Sequence, residues 1–118
     1  MGVIAGRGTE IVLTLGTGMG FALFRDGRYV PNVELGHHPL KGKKTYEDLV
    51  CDRERKKDLE RWNKRVRLVL AVLAPIFNYD RLYIGGGNAG RLDFKLPRNA
   101  KTVSNDAGML GGVRLWAQ

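Results

Sequence analysis

Residues 13–20 read LTLGTGMG, in which an apolar strand runs into a turn with glycine at every second position. The apolar content on either side of this turn predicts strands at residues 10–16 and 19–25. An Asp-Gly pair at 26–27 is a strong hairpin signal, and a short third strand is expected at 28–30. The chain is therefore predicted to begin with an antiparallel meander of three strands.

The glycine turn has the chemistry of a phosphate cradle. Because Gly16, Gly18 and Gly20 carry no side chains, backbone N–H groups can face an anionic ligand there, and the Thr17 hydroxyl adds a donor. The turn is not a dinucleotide fingerprint, since a strand follows it, and no Gly-Lys-Ser/Thr closes it as in a Walker loop. A plain tight turn between two strands would use the same glycines, so the motif alone leaves both interpretations open.

Beyond the meander the pattern alternates between helix and strand. The predicted elements are a helix at 46–51 capped by Thr45, a helix at 54–77, a strand at 81–84, a helical turn near Asn88, a strand at 101–103 and a helix at 107–116. The resulting order, βββαβαβα, predicts an α/β fold in a single domain, with a mixed sheet and helices on its faces.

Composition limits the classes of protein to which the chain can belong. It has 118 residues, of which 43% are hydrophobic, and a net charge of +8. Its single cysteine, Cys51, excludes an internal disulfide and a cysteine-cluster zinc site. No apolar run is long enough to span a bilayer and no leader precedes the first strand, so we expect a cytoplasmic protein without a membrane partner. The basic excess at 53–67 indicates an anionic partner or a solvated helix face.

Two further motifs are candidates for ligand contacts. Residues 34–39 read ELGHHP, in which Glu34 and His37 could exchange hydrogen bonds with sugar hydroxyls, although a surface loop would also explain them. The triple glycine at 85–87 would let a phosphate or a flat ligand approach the backbone, or would serve as a flexible turn. Asp106 precedes a predicted helix, which favours a capping role over that of a catalytic base.

Five motifs in order resemble the C-terminal half of sugar kinases of the ROK family (repressor, open reading frame, kinase). The similarity is strongest to its glucokinases and polyphosphate glucokinases, and it covers nearly the whole chain. The matching motifs are LTLGTGMG at 13–20, ALFRDG at 22–27, VPNVELGH at 30–37, YIGGGN at 83–88 and AGMLGG at 107–112.

The resemblance implies the actin-like, ribonuclease-H-like fold, in which two such domains face each other across a cleft. Residues 1–118 would form the C-terminal domain of this pair, and the N-terminal domain would not be part of the chain. The implied donor-binding residues are Gly16, Thr17, Gly18, Gly20, Gly86 and Gly87, and the implied sugar-binding residues are Glu34 and His37.

The resemblance also implies the substrates: glucose or a related hexose, and ATP or polyphosphate with magnesium as phosphoryl donor. Zinc is not expected, because Lys41–Lys44 stands where many family members carry a cysteine cluster. The Asp-x-Gly-Gly-Thr phosphate loop and the Asn-Asp pair that supplies the family's base have no counterpart in the chain, so no catalytic residue is assigned. We therefore expect little activity from the chain alone, and expect an N-terminal domain or a second chain, as in a homo-oligomer, to complete the cleft.

Two other functions remain open from the sequence. One is a non-catalytic sugar- or phosphate-binding domain, such as the sensor part of a family repressor. The other is a nucleic-acid binder that uses the basic helix, and it is disfavoured because Trp62 is the one aromatic residue within 53–67 and no base-reading motif is present.

Overall fold

The computed structural model describes residues 4–31, 33 and 35–103. The strands in these ranges are β1 (Thr9–Leu15), β2 (Met19–Arg25), β3 (Arg28–Val30), β4 (Pro39–Lys41), β5 (Lys44–Thr45), β6 (Arg81–Gly85) and β7 (Ala100–Thr102). The α-helices are α1 (Tyr46–Val50), α2 (Asp52–Lys57) and α3 (Leu59–Phe77), and two 3₁₀ turns lie at Leu35–His37 and Ala89–Arg91.

Five of these strands form one mixed sheet in the order β3-β2-β1-β6-β7. β1, β2 and β3 are antiparallel neighbours, as predicted, while β6 pairs with β1 in parallel and β7 pairs with β6 in parallel. Asp26 and Gly27 join β2 to β3 with φ of 50° and 80°, the left-handed pair that a two-residue hairpin turn needs. Because β1 and β6 run in the same direction, their carboxyl ends meet at one edge of the sheet.

The main core lies between one face of the sheet and α3. The buried apolar residues of α3 recur mostly at threes and fours: Trp62, Val66, Val69, Leu70 and Leu73. The Trp62 indole N–H donates to the Val50 carbonyl oxygen at 2.8 Å, which joins α3 to α1. Burying an apolar side chain of this size contributes about 1.5–3 kcal/mol of stabilising free energy. The stripe therefore contributes strongly to the packing of α3 on the sheet.

The continuous helix predicted over 54–77 is wrong, because the structure divides it at Asp58. This residue is extended, with φ −160° and ψ 96°, and its carboxylate accepts a hydrogen bond from the Arg61 N–H at 3.0 Å. A capping aspartate satisfies backbone donors at the start of a helix and so favours a new helix at this point. Leu59 and Ile76, apolar residues near the two ends of α3, are 43% and 60% exposed and lie outside its buried stripe.

Thr45 caps α1 as predicted. Its hydroxyl accepts from the Asp48 N–H at 3.1 Å, and the Asp48 carboxylate accepts from the Thr45 N–H at 3.0 Å. This reciprocal pair is a capping box, and it fixes where the chain leaves the small hairpin formed by β4 and β5. That hairpin, which bends at Gly42, was not predicted from the sequence.

The helical element expected near Asn88 is a single 3₁₀ turn, Ala89–Arg91. Asn63 of α3 holds the following segment, since its amide donates to the Arg91 carbonyl oxygen at 3.2 Å and its Oδ1 accepts from the Asp93 N–H at 2.8 Å. These bonds use backbone groups that a longer helix would pair internally. β7 begins at Ala100, one residue earlier than predicted.

The other face of the sheet carries a smaller buried cluster. Its members are Val12, Ala22, Phe24 and Tyr83, with Ile4 and Val103 packed against them. The helix predicted at 107–116 lies outside the described residues. None of the helices within the described ranges is long and apolar enough to cross a membrane.

Glu10 is a buried carboxylate on β1. It accepts hydrogen bonds from the Tyr83 hydroxyl at 2.7 Å and from the backbone N–H groups of Ala5 and Gly6 at 2.6 Å and 2.9 Å. Burial acts to raise the pKa of Glu10, but these hydrogen bonds outweigh it and lower the pKa. Burial and the Glu10 carboxylate together raise the pKa of Tyr83 to about 12. Through these hydrogen bonds, Glu10 connects the segment that precedes β1 with Tyr83 on β6.

Candidate functional site

The glycine turn at the end of β1 is narrow and open to solvent. The Gly16 N–H donates to the Gly18 carbonyl oxygen at 3.0 Å, and the Thr17 side chain is exposed. A Cβ atom on Gly18 would lie 2.5 Å from Oε1 of Glu47 on α1. A larger residue at this position would therefore require the flexible Glu47 side chain to move.

The second glycine turn follows β6 and lies beside the first. Gly86 has φ of +92°, and a Cβ atom there would lie 2.5 Å from the Leu15 carbonyl oxygen. That same oxygen accepts a hydrogen bond from the Asn88 N–H at 2.9 Å. The parallel pairing of β1 with β6 thus brings together two motifs that are about 70 residues apart in the chain.

A cavity of about 400 Å³ opens where the two turns meet. Five of the six predicted donor-binding residues line it: Gly16, Thr17, Gly18, Gly20 and Gly86. Thr14, Met19 and Glu47 line it as well, whereas Gly87 does not. The cavity accordingly presents backbone groups, two threonine hydroxyls and one carboxylate to a ligand.

Asp52, the first residue of α2, links both glycine turns. Its backbone N–H donates to the Thr17 carbonyl oxygen at 3.2 Å, and its Oδ1 accepts from the Asn88 amide at 3.0 Å. The Asn88 amide also donates to the Gly16 carbonyl oxygen at 3.4 Å. Hydrogen bonds from Asn88 and then from Arg55 lower the pKa of Asp52 to about 2, so this carboxylate is charged at neutral pH.

Basic side chains lie next to the Thr17 turn. A depression of about 630 Å³ beside it is lined in part by Arg53, Lys56 and Lys57 of α2. Lys56 pairs with Asp52 at 3.2 Å, and Lys57 pairs with Glu54 at 3.5 Å, both on the solvent side. Exposed pairs of this kind are weak, so these ammonium groups can still attract an anion near the turn.

Of the two predicted sugar-binding residues, the structure describes one. Glu34 lies outside the described residues. His37 is exposed at the end of the 3₁₀ turn Leu35–His37 and does not line the cavity. Its neighbour Gly36 is buried beside the start of β2, where a Cβ atom would lie 3.1 Å from the Met19 carbonyl oxygen. The turn that carries His37 therefore borders the glycine cavity, while the His37 ring stays in solvent.

Four polar residues of this site were not named as functional candidates from the sequence: Thr14, Glu47, Asp52 and Asn88. Asn88 could have been singled out, because it directly follows the triple glycine. Glu47 and Asp52 carry no comparable signal, since they lie on helices about 30 residues after the first turn. No group of three or more His, Cys, Asp or Glu side chains suited to a metal occurs within residues 4–31, 33 and 35–103.

Comparison with known proteins adds an independent line of evidence. No protein-family model matches the chain. A polyphosphate glucokinase of Mycobacterium tuberculosis (strain CDC 1551 / Oshkosh) is 32% identical over 116 residues, which cover 90% of this chain and 43% of that protein. A polyphosphate glucokinase of Mycobacterium leprae is 31% identical over 118 residues, 90% of this chain and 36% of the relative. The chain thus spans less than half the length of these relatives.

Solved structures agree with this similarity. An inorganic polyphosphate/ATP-glucomannokinase from Arthrobacter sp. strain KM superposes with a TM-score of 0.75 at 28% identity, over 89% of this chain and 45% of that one. A ROK family glucokinase from Streptomyces griseus superposes with a TM-score of 0.58 at 14% identity, over 87% of this chain and 58% of that one. The second comparison concerns the fold alone.

Proposed function

We propose that this chain, which belongs to the ROK family of sugar kinases and corresponds to the C-terminal part of their glucokinases, forms the half of a hexose-kinase cleft that binds the phosphoryl donor. The observation that carries the proposal is the cavity shared by the two glycine turns, which is lined by Gly16, Thr17, Gly18, Gly20 and Gly86. The proposal also includes Gly87 as a donor-binding residue and Glu34 and His37 as sugar-binding residues.

The donor in this proposal is ATP or polyphosphate. Phosphate oxygens accept hydrogen bonds, and the glycines that line the cavity would let them approach the backbone, where the Thr17 hydroxyl adds a donor. The basic side chains of α2 beside Thr17 add attraction for any chain of phosphates. The names of the curated relatives and of the Arthrobacter structure support both donors.

The acceptor in this proposal is glucose or a related hexose. Glu34 would accept hydrogen bonds from sugar hydroxyls and His37 would donate or accept them. The position of the 3₁₀ turn Leu35–His37 beside the start of β2 supports a sugar site that borders the donor cavity. Glucose as the substrate is supported by the curated relatives, which are polyphosphate glucokinases.

Magnesium would reach this cleft with the donor phosphates. Mg²⁺ is commonly bound through one or two carboxylates together with substrate phosphates and water. Glu47 is the carboxylate that lines the cavity, and Thr14 and Thr17 add hydroxyl oxygens, so the described residues suit an ion of this kind. When bound, magnesium would neutralise charge on the transferred phosphoryl group.

We infer a ribonuclease-H-like domain of the actin-like superfamily, paired with a second domain across the cleft. That partner, an N-terminal domain or another chain in a homo-oligomer, would supply the general base and the other phosphate loop. The mixed sheet and the resemblance to two-domain kinases support this arrangement. We also propose a cytoplasmic location. The single cysteine of the chain suits a reducing compartment, where disulfides are rare.

Donor binding by this chain tests the proposal. Replacing Thr17 by alanine removes a hydroxyl that would bond a phosphate oxygen, and we expect ATP with magnesium to bind about tenfold more weakly by titration calorimetry. The matched control is Thr102→Ala, which alters an exposed threonine on β7, away from the cavity. Equal ATP affinity in the Thr17 variant and the unmodified chain would contradict the proposed donor site.

A further inference from the structure

A small pocket where β6 and β7 begin has a basic rim. Its volume is about 340 Å³, and it lies between the segment before β1, the start of β6 and the turn that leads into β7. Three cationic side chains surround it: Arg81, Arg98 and Lys101. No acidic residue lines it within the part of the chain that the structure describes.

The pocket lies at the opposite end of β6 from the glycine turns. Arg81 begins this strand and Gly85 ends it, a separation of about 13 Å along an extended chain. Arg81 and Tyr83 point to the same face of the sheet, and Lys101 is the partner of Tyr83 in the β6–β7 register. Because Tyr83 belongs to the smaller buried cluster, this face is the one opposite α3. The pocket shares no lining residue with the glycine cavity.

The charges of the rim are available to an external anion. None of the three cations forms an ion pair with an acidic residue in the described ranges. Arg98 and Lys101 are exposed, whereas Arg81 is half-buried and donates from one guanidinium nitrogen to the Arg7 carbonyl oxygen at 3.3 Å. A guanidinium carries five N–H donors, so this bond holds Arg81 in place and leaves other donors unused.

Two carboxylates lie close to these elements, but their oxygens are already occupied by protein donors. Glu10 is buried and accepts hydrogen bonds from the Tyr83 hydroxyl and from two backbone N–H groups. Asp80 accepts from the Thr9 N–H at 2.8 Å. Since neither carboxylate lines the pocket, the groups that would face a bound anion are mainly cationic.

The turn that carries Arg98 is fixed by backbone hydrogen bonds on both sides. The Ala100 N–H donates to the Pro97 carbonyl oxygen at 3.0 Å, and the Leu82 N–H donates to the Asn99 carbonyl oxygen at 2.9 Å. A segment that is already ordered loses less conformational entropy when a ligand binds. The pocket is therefore built before any ligand arrives.

We propose that this pocket binds a single phosphate group, either as inorganic phosphate or as part of a small phosphate monoester. Guanidinium groups bind phosphate oxygens through paired N–H donors, and a lysine ammonium adds a compact point charge. The volume lies at the lower end of the range for small-molecule sites, which suits a single phosphate and not a polymer.

The lining of the pocket does not favour a nucleobase. The Lys101 Nζ lies 5.6 Å from the centroid of the Tyr83 ring, so it covers the aromatic face on which a base would stack. Tyr83 is also buried, and its hydroxyl is already bonded to Glu10. The inference does not rest on the proposed kinase function, because the pocket and the glycine cavity have no residue in common.

The test is a titration of the 118-residue chain with inorganic phosphate and, separately, with glycerol 3-phosphate, followed by amide chemical shifts in NMR. We expect saturable shifts centred on Arg98–Lys101, and the tighter of the two ligands identifies the source of the phosphate group. In Arg98→Gln with Lys101→Gln, the affinity at this site should fall at least tenfold, because two charged hydrogen-bond donors are lost. Both side chains are exposed, so the variant is expected to fold, which its own spectrum checks.

A control of equal charge is Arg28→Gln with Lys95→Gln, which alters exposed residues outside the pocket. We expect it to weaken binding at residues 98–101 no more than about threefold, since the remaining effect is long-range and screened by salt. Thr17→Ala should leave these shifts unchanged even if phosphate also enters the glycine cavity. Succinate, a dianion of similar charge without phosphate, should bind several-fold more weakly.

Four outcomes would overturn the proposal. Absence of saturable shifts at residues 98–101 would mean that the pocket is empty in solution, and shifts confined to residues 16–20 would place phosphate in the glycine cavity alone. Equal losses in the pocket and control variants would mean that net charge alone attracts the anion. Succinate binding as tightly as the better phosphate ligand would show that the pocket does not select phosphate.

Discussion

Gly86 shows how a single residue sets the geometry of the candidate site. Its φ of +92° is a conformation that side chains of L-residues rarely adopt, and its Cα lies against the backbone of Leu15. Gly87, the next residue, has open space where its Cβ would be. Both positions are glycine in the sequence, but a side chain would collide with neighbouring backbone only at Gly86.

Alanine substitutions at these two positions should therefore differ. Gly86→Ala forces both an unfavourable φ and a collision with the Leu15 backbone, so we expect it to lower the free energy of unfolding by about 2 kcal/mol or more. Gly87→Ala is expected to change it by less than about 0.5 kcal/mol. Urea denaturation of both variants measures the difference, and equal destabilisation would show that the close approach at Gly86 is not real.

Between elements, Asp52 is the main link of the site. It begins α2, yet its backbone and side chain contact the turn after β1 and, through Asn88, the turn after β6. Asp58 has a different role within the helical region, where its carboxylate caps α3 and divides a periodic stretch into α2 and α3. The Asp52 carboxylate instead accepts hydrogen bonds from the Asn88 and Arg55 side chains, so it joins elements and does not cap a helix.

The lowered pKa of Asp52 predicts a pH dependence of stability. Because the pKa is depressed in the folded state, from 3.8 to about 2, the ionised form stabilises the fold above pH 3.8. This contribution is lost as the pH falls from 3.8 towards 2. In Asp52→Asn the free energy of unfolding should already be lower at neutral pH and should decline less steeply over that interval. Asp93→Asn, at an exposed position, is the control.

Denaturant melts at pH 5, 4, 3 and 2 provide the measurement for Asp52. Other carboxylates with lowered pKa, such as Glu10 and Glu54, contribute to the acid lability of both proteins. The relevant quantity is therefore the difference between the variant and the unmodified chain. If that difference is constant between pH 5 and pH 2, then the hydrogen bonds from Asn88 and Arg55 do not depress the pKa of Asp52.

Across the whole molecule, the described residues leave the glycine cavity open at the edge of the sheet, where the proposed second domain would face it. Phosphoryl transfer also needs a base and an oriented acceptor. A general base alone is worth about 10²–10⁴-fold in rate, and orientation adds several kcal/mol. In the proposed function the chain would supply donor contacts and part of the sugar contacts, so its chemistry would depend on a second domain or chain.

The pure 118-residue chain is accordingly expected to show no glucose-dependent consumption of ATP or polyphosphate. A coupled assay for glucose 6-phosphate measures this, with a full-length polyphosphate glucokinase as positive control. Addition of a separately expressed N-terminal half of such a kinase is the complementary experiment and should raise the rate if the halves associate. Sustained turnover by the chain alone would refute the need for a partner.

Most of the local structure followed from short-range patterns. Apolar runs and alternation were sufficient for β1, β2 and β6, the Asp26–Gly27 pair for the hairpin, and the Thr45–Asp48 pair for the start of α1. These elements depend on contacts between residues close in the chain, which periodicity and turn chemistry describe directly. The break at Asp58 was missed, since the periodicity of the apolar residues continues across it.

The candidate site depends on long-range contacts, which the linear pattern does not contain. The glycine motifs were recognised one by one, but the parallel pairing of β1 with β6 is what joins Gly16–Gly20 to Gly86 around one cavity. The approach of Glu47 and the bridge from Asp52 to Asn88 come from the packing of α1 and α2 beside that edge. Local order was thus encoded in neighbouring residues, whereas the site required the folded sheet, because its groups meet only after the chain has closed loops of about 30 to 70 residues.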